Sequence, residues 1–141
     1  DDVKRMILDI AVHRDRMYGL HSRDFELLVE RVFRDKGFRT ELTQATRDGG
    51  KDIICEKDSE KYYVECKRFS SDNPISPFHI EKLLGSMIAD NINNGIIITT
   101  GTISDDSQSI LNKINKSYNI QVISSKELDI PYNEYILKSN I

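Results

Sequence analysis

Two short strand-like runs near the middle of the chain restrict its fold more than any other feature of the sequence. Residues 51–57 and 61–68 are rich in β-branched and aromatic side chains, and only Asp58-Ser59-Glu60 separates them. This spacing predicts a tight antiparallel hairpin. The two runs must therefore pair with each other in a sheet, and their side chains are fixed relative to one another.

The register of this hairpin brings three charged residues to one face. A two-residue turn at Asp58 and Ser59 places Asp52 opposite Glu65, and a slip by two residues places it opposite Lys67. Glu65 and Lys67 share a face because successive side chains of a strand point to opposite sides. Either register therefore puts all three on one face, whereas a slip by one residue moves Asp52 to the other.

This trio has two interpretations. Two carboxylates a few ångströms apart repel each other unless a cation lies between them. Hard oxygen ligands suit Mg²⁺ or Mn²⁺, and a lysine beside such a metal serves phosphodiester hydrolysis. The alternative is a cross-strand surface ion pair, which is common and contributes little stability.

The pattern on both sides of the hairpin predicts an α/β fold. Helical periodicity covers 2–17, 23–36, 78–90 and 105–117, and strand patterns cover 38–43, 95–100 and 120–123. Residues 46–50 are typical of a turn, 70–77 of a loop, and the tail is predicted to be helical. The order α-α-β-β-β-α-β-α-β favours a mixed sheet with helices on both faces.

Individual side chains mark the ends and faces of these helices. Ser22 and Ser104 are expected to cap the helices that follow them, and Gly37 to end the second helix. The inner face of helix 78–90 is predicted to carry Ile80, Leu83, Leu84, Met87 and Ile88.

Length and composition limit the class of protein. The 141 residues fit one domain, and no run approaches a membrane span of about 20 apolar residues. The chain starts without Met and without a signal-peptide pattern, so we expect a fragment of a longer chain.

Cys55 and Cys66 are too few for a disulfide scaffold or a zinc site, which predicts a reducing cytoplasm. With a net charge of −3, DNA binding would need a local basic patch, divalent ions or an attached domain.

Several short motifs, in order over residues 20–130, resemble a known family. They are Phe25-Glu26-Leu27-Leu28-Val29, Gly37-Phe38, Asp48-Gly49-Gly50-Lys51-Asp52-Ile53, Tyr63-Val64-Glu65-Cys66-Lys67-Arg68 and Ile98-Thr99-Thr100-Gly101. Together they resemble the Mrr-like restriction endonuclease catalytic domain of the PD-(D/E)XK nuclease superfamily. The resemblance implies an α-β-β-β-α-β core with a four-stranded mixed sheet flanked by helices, here with an extra N-terminal helix.

The resemblance also implies roles for residues of the hairpin. Asp52 and Glu65 would bind the metal with the main-chain carbonyl of Cys66, and Lys67 would be the catalytic lysine. Many Mrr-like domains have Gln where this chain has Glu65, and Lys51 stands where the superfamily name places proline. The first departure follows the wider superfamily, and the second is usual in this branch.

Other residues have both a structural and a functional interpretation. The resemblance implies that Glu26 reaches the metal directly or through water, whereas a first-turn glutamate also stabilises a helix dipole. Glu30 lies about 40° further round the helix, toward the predicted solvent side. Asp48, Arg68 and Thr100 are interpreted as contacts to DNA or as support for the site. His79 begins a helix and is not predicted to be a ligand.

The function implied by the resemblance is that of an Mg²⁺-dependent endodeoxyribonuclease, with Mn²⁺ as a substitute. We expect the nuclease effector domain of a restriction or antiphage system, acting on DNA as a homodimer or higher oligomer with a recognition or sensor domain. The expected division is a helical extension at 1–19, the nuclease domain at 20–130 and a tail at 131–141. The alternatives are a Holliday junction resolvase-like nuclease and a catalytically silent DNA- or protein-binding domain.

Overall fold

The computed structural model describes residues 2–43, 51–69 and 73–125. Within these ranges the chain forms α-helices, a 3-10 helix and strands. In order they are α1 (Asp2–Val12), the 3-10 helix (Arg14–Gly19), α2 (Ser22–Asp35), β1 (Arg39–Leu42), β2 (Ile53–Lys57), β3 (Glu60–Lys67), β4 (Pro74–Ile75), α3 (Pro77–Ala89), β5 (Asn94–Thr99), β6 (Thr102–Ile103), α4 (Asp105–Ile114) and β7 (Asn119–Ser124). The predicted turn at 46–50 and the predicted helical tail lie outside the described residues.

Five of the strands form one mixed sheet in the order β1-β2-β3-β5-β7. The β1–β2 and β2–β3 pairs are antiparallel, and the β3–β5 and β5–β7 pairs are parallel. The predicted mixed α/β sheet is therefore confirmed. Strand β7, predicted at 120–123, adds a fifth strand to the four expected for the core. Strand β3 lies in the middle of the sheet, at the point where pairing changes from antiparallel to parallel.

The sheet separates two apolar cores. On one face, α1, the 3-10 helix and α2 pack against strand residues that include Ile53, Val64 and Ile98. On the other face, α3 and α4 pack against the alternate strand residues, such as Tyr63 and Ile97. Strand β5 is buried along most of its length because helices cover both of its faces.

The β2–β3 hairpin has the predicted register. Lys57 pairs with Glu60 and Ile53 with Val64. Asp58 and Ser59 form the two-residue turn, and both have positive φ values, 53° and 67°. A type I′ turn requires this conformation at both central positions, and its twist matches that of the flanking strands.

The first two helices differ from their predicted limits. The helix predicted at 2–17 ends at Val12, and a 3-10 helix follows. Met17 still reaches the core and is buried there. The predicted cap Ser22 is instead the first residue of α2, and His21 occupies the cap position without a side-chain hydrogen bond. Gly37 has a φ of 97° just beyond α2, as expected for the residue that follows a helix end.

The segment before α3 contains a strand where a loop was predicted. Pro74–Ile75 pairs in parallel with Thr102–Ile103 in a separate two-stranded sheet. A strand of two residues has no periodicity, so the sequence pattern could not reveal it. Ser104 caps α4 by accepting a hydrogen bond from the Ser107 amide, as predicted, although α4 ends at Ile114 rather than at 117.

Helix α3 also departs from its predicted inner face. Ile80, Leu83 and Met87 are buried, but Ile88 is 53% exposed. Over the described part of the chain, no helix has the length and apolar character needed to cross a membrane.

Candidate active site

Asp52 ends the pairing between β2 and β3. Its amide donates to the Val64 carbonyl at 2.7 Å, and its own carbonyl accepts from the Thr43 amide at 2.9 Å. Its Oδ2 atom accepts a hydrogen bond from the Cys66 amide at 2.7 Å. The carboxylate thus replaces a main-chain acceptor just before the first residue of β2, where the regular pairing of β2 with β3 stops. Both the main chain and the side chain of Asp52 are fixed at this point.

Glu65 and Lys67 lie beside Asp52 on β3. Lys67 Nζ is 3.3 Å from Glu65 Oε1, and both side chains are largely shielded from solvent. Burial, the nearby charge of Asp52 and a hydrogen bond between the two carboxyl groups together raise the pKa of Glu65 to about 7, against the opposing effect of Lys67. The structure therefore brings together the three residues that the hairpin register predicted.

Glu26 approaches this group from α2, on the other face of the sheet. Burial raises the pKa of Glu26, and the charge of Asp52 adds to the rise. The guanidinium of Arg23 lies 3.2 Å from Glu26 Oε1 and opposes the effect. Three carboxyl groups and one ammonium therefore lie near the beginning of β2 and the end of β3, in the interior of the strand order.

The acidic groups do not form a complete metal shell by themselves. Among the described residues, no three His, Cys, Asp or Glu side chains are close enough to form a set of metal ligands. Asp52 is close enough to Glu65 for its charge to raise the pKa of Glu65. The Cys66 thiol is not suited to join them, because burial and then the charges of Asp52 and Glu26 raise its pKa well above the usual value. It stays protonated near neutral pH, and only the thiolate binds metals.

Comparison with known proteins identifies the family. The Mrr_cat restriction endonuclease family matches residues 17–129. The chain belongs to this family. Among curated proteins, an uncharacterized protein of Sinorhizobium fredii, y4cE, is 34% identical over 95 residues, which cover 64% of this chain and 24% of that protein. This restriction endonuclease domain thus spans about a quarter of the length of that relative.

Solved structures share the fold. The DNA modification-dependent restriction endonuclease AspBHI superposes with a TM-score of 0.58 at 13% identity, over 100% of this chain and 36% of that one. The MspJI restriction endonuclease in complex with a 27-mer oligonucleotide gives 0.50 at 20% identity, over 99% and 34%. A protein of unknown function, AF1548, gives 0.52 at 18% identity, over 80% and 63%.

Two further residues of interest in this restriction endonuclease domain make internal contacts. The guanidinium of Arg68 donates to the Tyr18 carbonyl at 3.3 Å, which joins the end of β3 to the 3-10 helix. The Thr100 hydroxyl accepts from the Phe69 amide at 2.6 Å and donates to the Phe69 carbonyl at 2.8 Å. Both contacts support the main chain just after Lys67. Asp48 lies outside the described residues.

Glu30 does not lie on the solvent side of α2, as was predicted. It is only 6% exposed, and its carboxylate accepts hydrogen bonds from Arg34 at 2.7 and 3.0 Å and from Thr40 at 2.7 Å. Burial alone would raise the pKa of Glu30, but these bonds outweigh it and the pKa is lowered. The prediction from helical periodicity was wrong here because β1 covers that side of α2. Helical periodicity describes one helix and gives no information about the strands that pack against it.

His79 has a structural role, as expected. Its Nδ1 atom accepts from the Ser76 amide at 3.1 Å and completes a capping box at the start of α3. Burial lowers the pKa of His79, and the charges of Lys67 and Lys82 lower it further. The imidazole therefore stays neutral beside the candidate site near pH 7.

Proposed function

We propose that this domain is an Mg²⁺-dependent endodeoxyribonuclease that hydrolyses DNA phosphodiester bonds, with Mn²⁺ as a working substitute. The observation that carries the proposal is that the Asp52 carboxylate bonds to the amide of Cys66, between Glu65 and Lys67, while Lys67 Nζ lies 3.3 Å from Glu65 Oε1. Membership of a restriction endonuclease family supports the same reaction class. All three residues of the expected acidic and lysine pattern are present.

The chemistry of the two carboxyl groups fits a divalent metal. Without a cation, burial and the negative charge of Asp52 raise the pKa of Glu65 to about 7, because like charges close together repel each other. Carboxylate oxygens are preferred ligands of Mg²⁺, which binds through one or two of them and keeps several waters. The Cys66 amide points to Asp52, and in a strand the carbonyl of a residue faces the same neighbour as its amide. Asp52, Glu65 and the Cys66 carbonyl would therefore hold the metal, with Glu26 reaching it through water.

Each residue of the candidate site would have a separate role in hydrolysis. A divalent ion held by these residues would supply an acidified water and would offset charge on the phosphate oxygens. Lys67 lies next to Glu65, where its ammonium orients the attacking water or stabilises the charge that develops on the phosphate. The raised pKa of Glu26 makes it a suitable acceptor for the proton of that water. Asp52 keeps its place through the Cys66 amide while it binds the metal.

We assign recognition of the target to a recognition or sensor domain that is fused to this domain or partners it. The net charge of −3 gives the domain little general attraction for a polyanion. The domain also covers only 24% of its curated relative and about a third of the AspBHI and MspJI chains. We therefore assign residues 20–130 to a nuclease effector of a defence system, residues 1–19 to a helical extension and 131–141 to a tail. Double-strand cleavage would require a homodimer or higher oligomer, because one such site cuts one strand.

Plasmid cleavage tests this proposal. Supercoiled DNA is incubated with the protein and Mg²⁺, Mn²⁺, Ca²⁺ or excess EDTA, and nicked and linear products are separated on a gel. We expect cleavage with Mg²⁺ and Mn²⁺ and little turnover with Ca²⁺, which is larger and less demanding of geometry. Full cleavage in EDTA would overturn the metal mechanism. Absence of cleavage in every metal would favour a domain that only binds DNA or a protein.

A further inference from the structure

Lys51 precedes Asp52 directly, but its ammonium points away from the candidate site. Nζ lies 3.1 Å from Ser86 Oγ and 3.4 Å from Asp90 Oδ2, both at the end of α3. It also lies 4.5 Å from the centre of the Tyr63 ring. The side chain is only 19% exposed. A lysine inside a glycine-rich acidic motif would ordinarily be interpreted as a phosphate contact, and this one is held against the protein instead.

Two of the residues that contact Lys51, Tyr63 and Asp90, are hydrogen-bonded to each other. The Tyr63 hydroxyl donates to Asp90 Oδ2 at 2.6 Å. Burial raises the pKa of Tyr63 to about 12, so the phenol keeps the proton that it donates. The ammonium therefore has a fixed acceptor and a fixed aromatic face, and both belong to the α3 side of the sheet. These contacts attach the main chain at Lys51 to α3 across 35 or more residues of sequence.

Thr43 holds the same stretch of main chain from the other side. Its hydroxyl lies 3.0 Å from the Lys51 carbonyl and 3.1 Å from the Asp52 carbonyl, and its amide donates to the Asp52 carbonyl at 2.9 Å. Thr43 follows β1 directly, at the edge of the sheet. The main chain that carries Asp52 is thus fixed on one side by the end of β1 and on the other by the end of α3.

We propose that Lys51 and Thr43 are positioning residues, which act through Asp52 and set the affinity of the site for its metal. This inference rests on the proposed function. Asp52 lies just outside the regular β2–β3 pairing, which begins with Ile53 and Val64, so its place depends on individual hydrogen bonds. Without the contacts of Lys51 and Thr43, the main chain at residues 51–52 would be free to rotate. This rotation would change the orientation of the Asp52 carboxylate relative to Glu65.

The size of the effect follows from the behaviour of groups that orient metal ligands. Removing such a group typically lowers metal affinity or activity by about 10-fold to 100-fold. Neither Lys51 nor Thr43 is expected to touch the metal or the DNA. Their loss should therefore appear in the metal concentration needed for half-saturation more than in DNA binding.

Lys57 offers a matched control. It lies at the opposite end of β2 and makes the same kinds of contact: Nζ donates to the Lys36 carbonyl at 3.1 Å and lies 5.1 Å from the centre of the Phe38 ring. Lys57→Met and Lys51→Met each remove one ammonium and one cation–π contact, and Lys51→Met also removes an ion pair with Asp90. The melting temperature in EDTA measures how far the two variants differ in stability, and only Lys51 is next to Asp52.

The experiment measures Mn²⁺ binding to the wild type and four variants by the decrease in the free-ion electron paramagnetic resonance signal. Melting temperature in EDTA and DNA affinity in Ca²⁺ are recorded for the same proteins. We expect Lys51→Met and Thr43→Val to weaken Mn²⁺ binding about 10-fold or more, and Lys57→Met to bind as the wild type does. Thr43→Ser keeps the hydroxyl and should restore most of the affinity.

The outcomes separate this inference from the proposed function. If the wild type neither binds Mn²⁺ nor cleaves DNA, the proposed function fails and the inference falls with it. If the wild type does both, and Lys51→Met and Thr43→Val bind Mn²⁺ as tightly, the positioning role alone is wrong. Loss of DNA affinity in Lys51→Met with unchanged Mn²⁺ affinity would instead identify Lys51 as a phosphate contact and would also overturn the inference.

Discussion

The buried carboxyl group of Glu65 should make the stability of the metal-free protein depend on pH. Its pKa is about 7 in the folded chain against 4.5 for an ordinary glutamate, so the folded state holds a proton that the unfolded state has released. Stability is therefore fully present below about pH 4.5 and is lost as the pH rises through about 7. Since each pKa unit corresponds to about 1.4 kcal/mol, the full loss is about 3 kcal/mol, of which about 2 to 3 kcal/mol falls between about pH 5 and pH 8.

Glu65→Gln removes this titration. In excess EDTA, the difference in unfolding free energy between variant and wild type should shift in favour of the variant by about 2 to 3 kcal/mol from about pH 5 to pH 8. Comparing the two proteins at each pH cancels the titration of groups that both contain. Urea unfolding followed by far-UV circular dichroism gives these free energies, because the chain has no tryptophan for fluorescence.

Glu30→Gln is the control for this measurement. The pKa of Glu30 is lowered, so its contribution is present above about pH 4.5 and is lost only in more acidic solution. The cost of Glu30→Gln should therefore be the same at about pH 5 and pH 8. If the wild type and Glu65→Gln change in parallel over that range, the Glu65 carboxyl is not held protonated beside Asp52, and the physical basis for a metal site at this position is lost.

The remaining predictions concern the other acidic and basic residues. Lys67→Ala should slow cleavage on the order of 10²–10⁴-fold with little change in DNA binding or melting temperature; activity within a few-fold of wild type would place the site elsewhere. Glu26→Gln should slow cleavage substantially, whereas Glu30→Gln should lower the unfolding free energy on the order of 1–3 kcal/mol, and equal effects on cleavage would contradict these assignments. Millimolar Mg²⁺ or Mn²⁺ should raise the melting temperature of the wild type, and Asp52→Asn should lose this rise while melting no lower in EDTA; a full rise in the variant would exclude Asp52 as a ligand.

The hairpin could be predicted from the sequence because its information is local. Asp58 and Ser59 fix a two-residue turn, and a period of two then determines which face each following residue occupies. Glu65 and Lys67 therefore appear beside Asp52 without knowledge of any other element. The resemblance to a nuclease family added the chemistry, and the family match agrees with it.

The features that the sequence did not reveal depend on contacts between distant segments. Glu30 is polar and was predicted on the solvent side of α2, but Thr40 from β1 covers it and gives it a partner. Lys51 is held by residues of α3 that lie 35 or more positions away. Helical and strand periods describe one element at a time. They cannot identify a polar side chain that is buried because another element packs over it.

The candidate site lies between the helix α2 on one face and the strands β2 and β3 of the sheet. Glu26 belongs to helix α2 on one face of the sheet, whereas Glu65 and Lys67 belong to strand β3 and Asp52 directly precedes β2. The distance from Glu26 to the other two carboxylates is therefore set by how far α2 stands from the sheet. A substitution that enlarges a side chain under α2 would shift Glu26 and leave Glu65 in place. Catalysis should thus respond to volume changes in the core between α2 and the sheet, at positions away from the site itself.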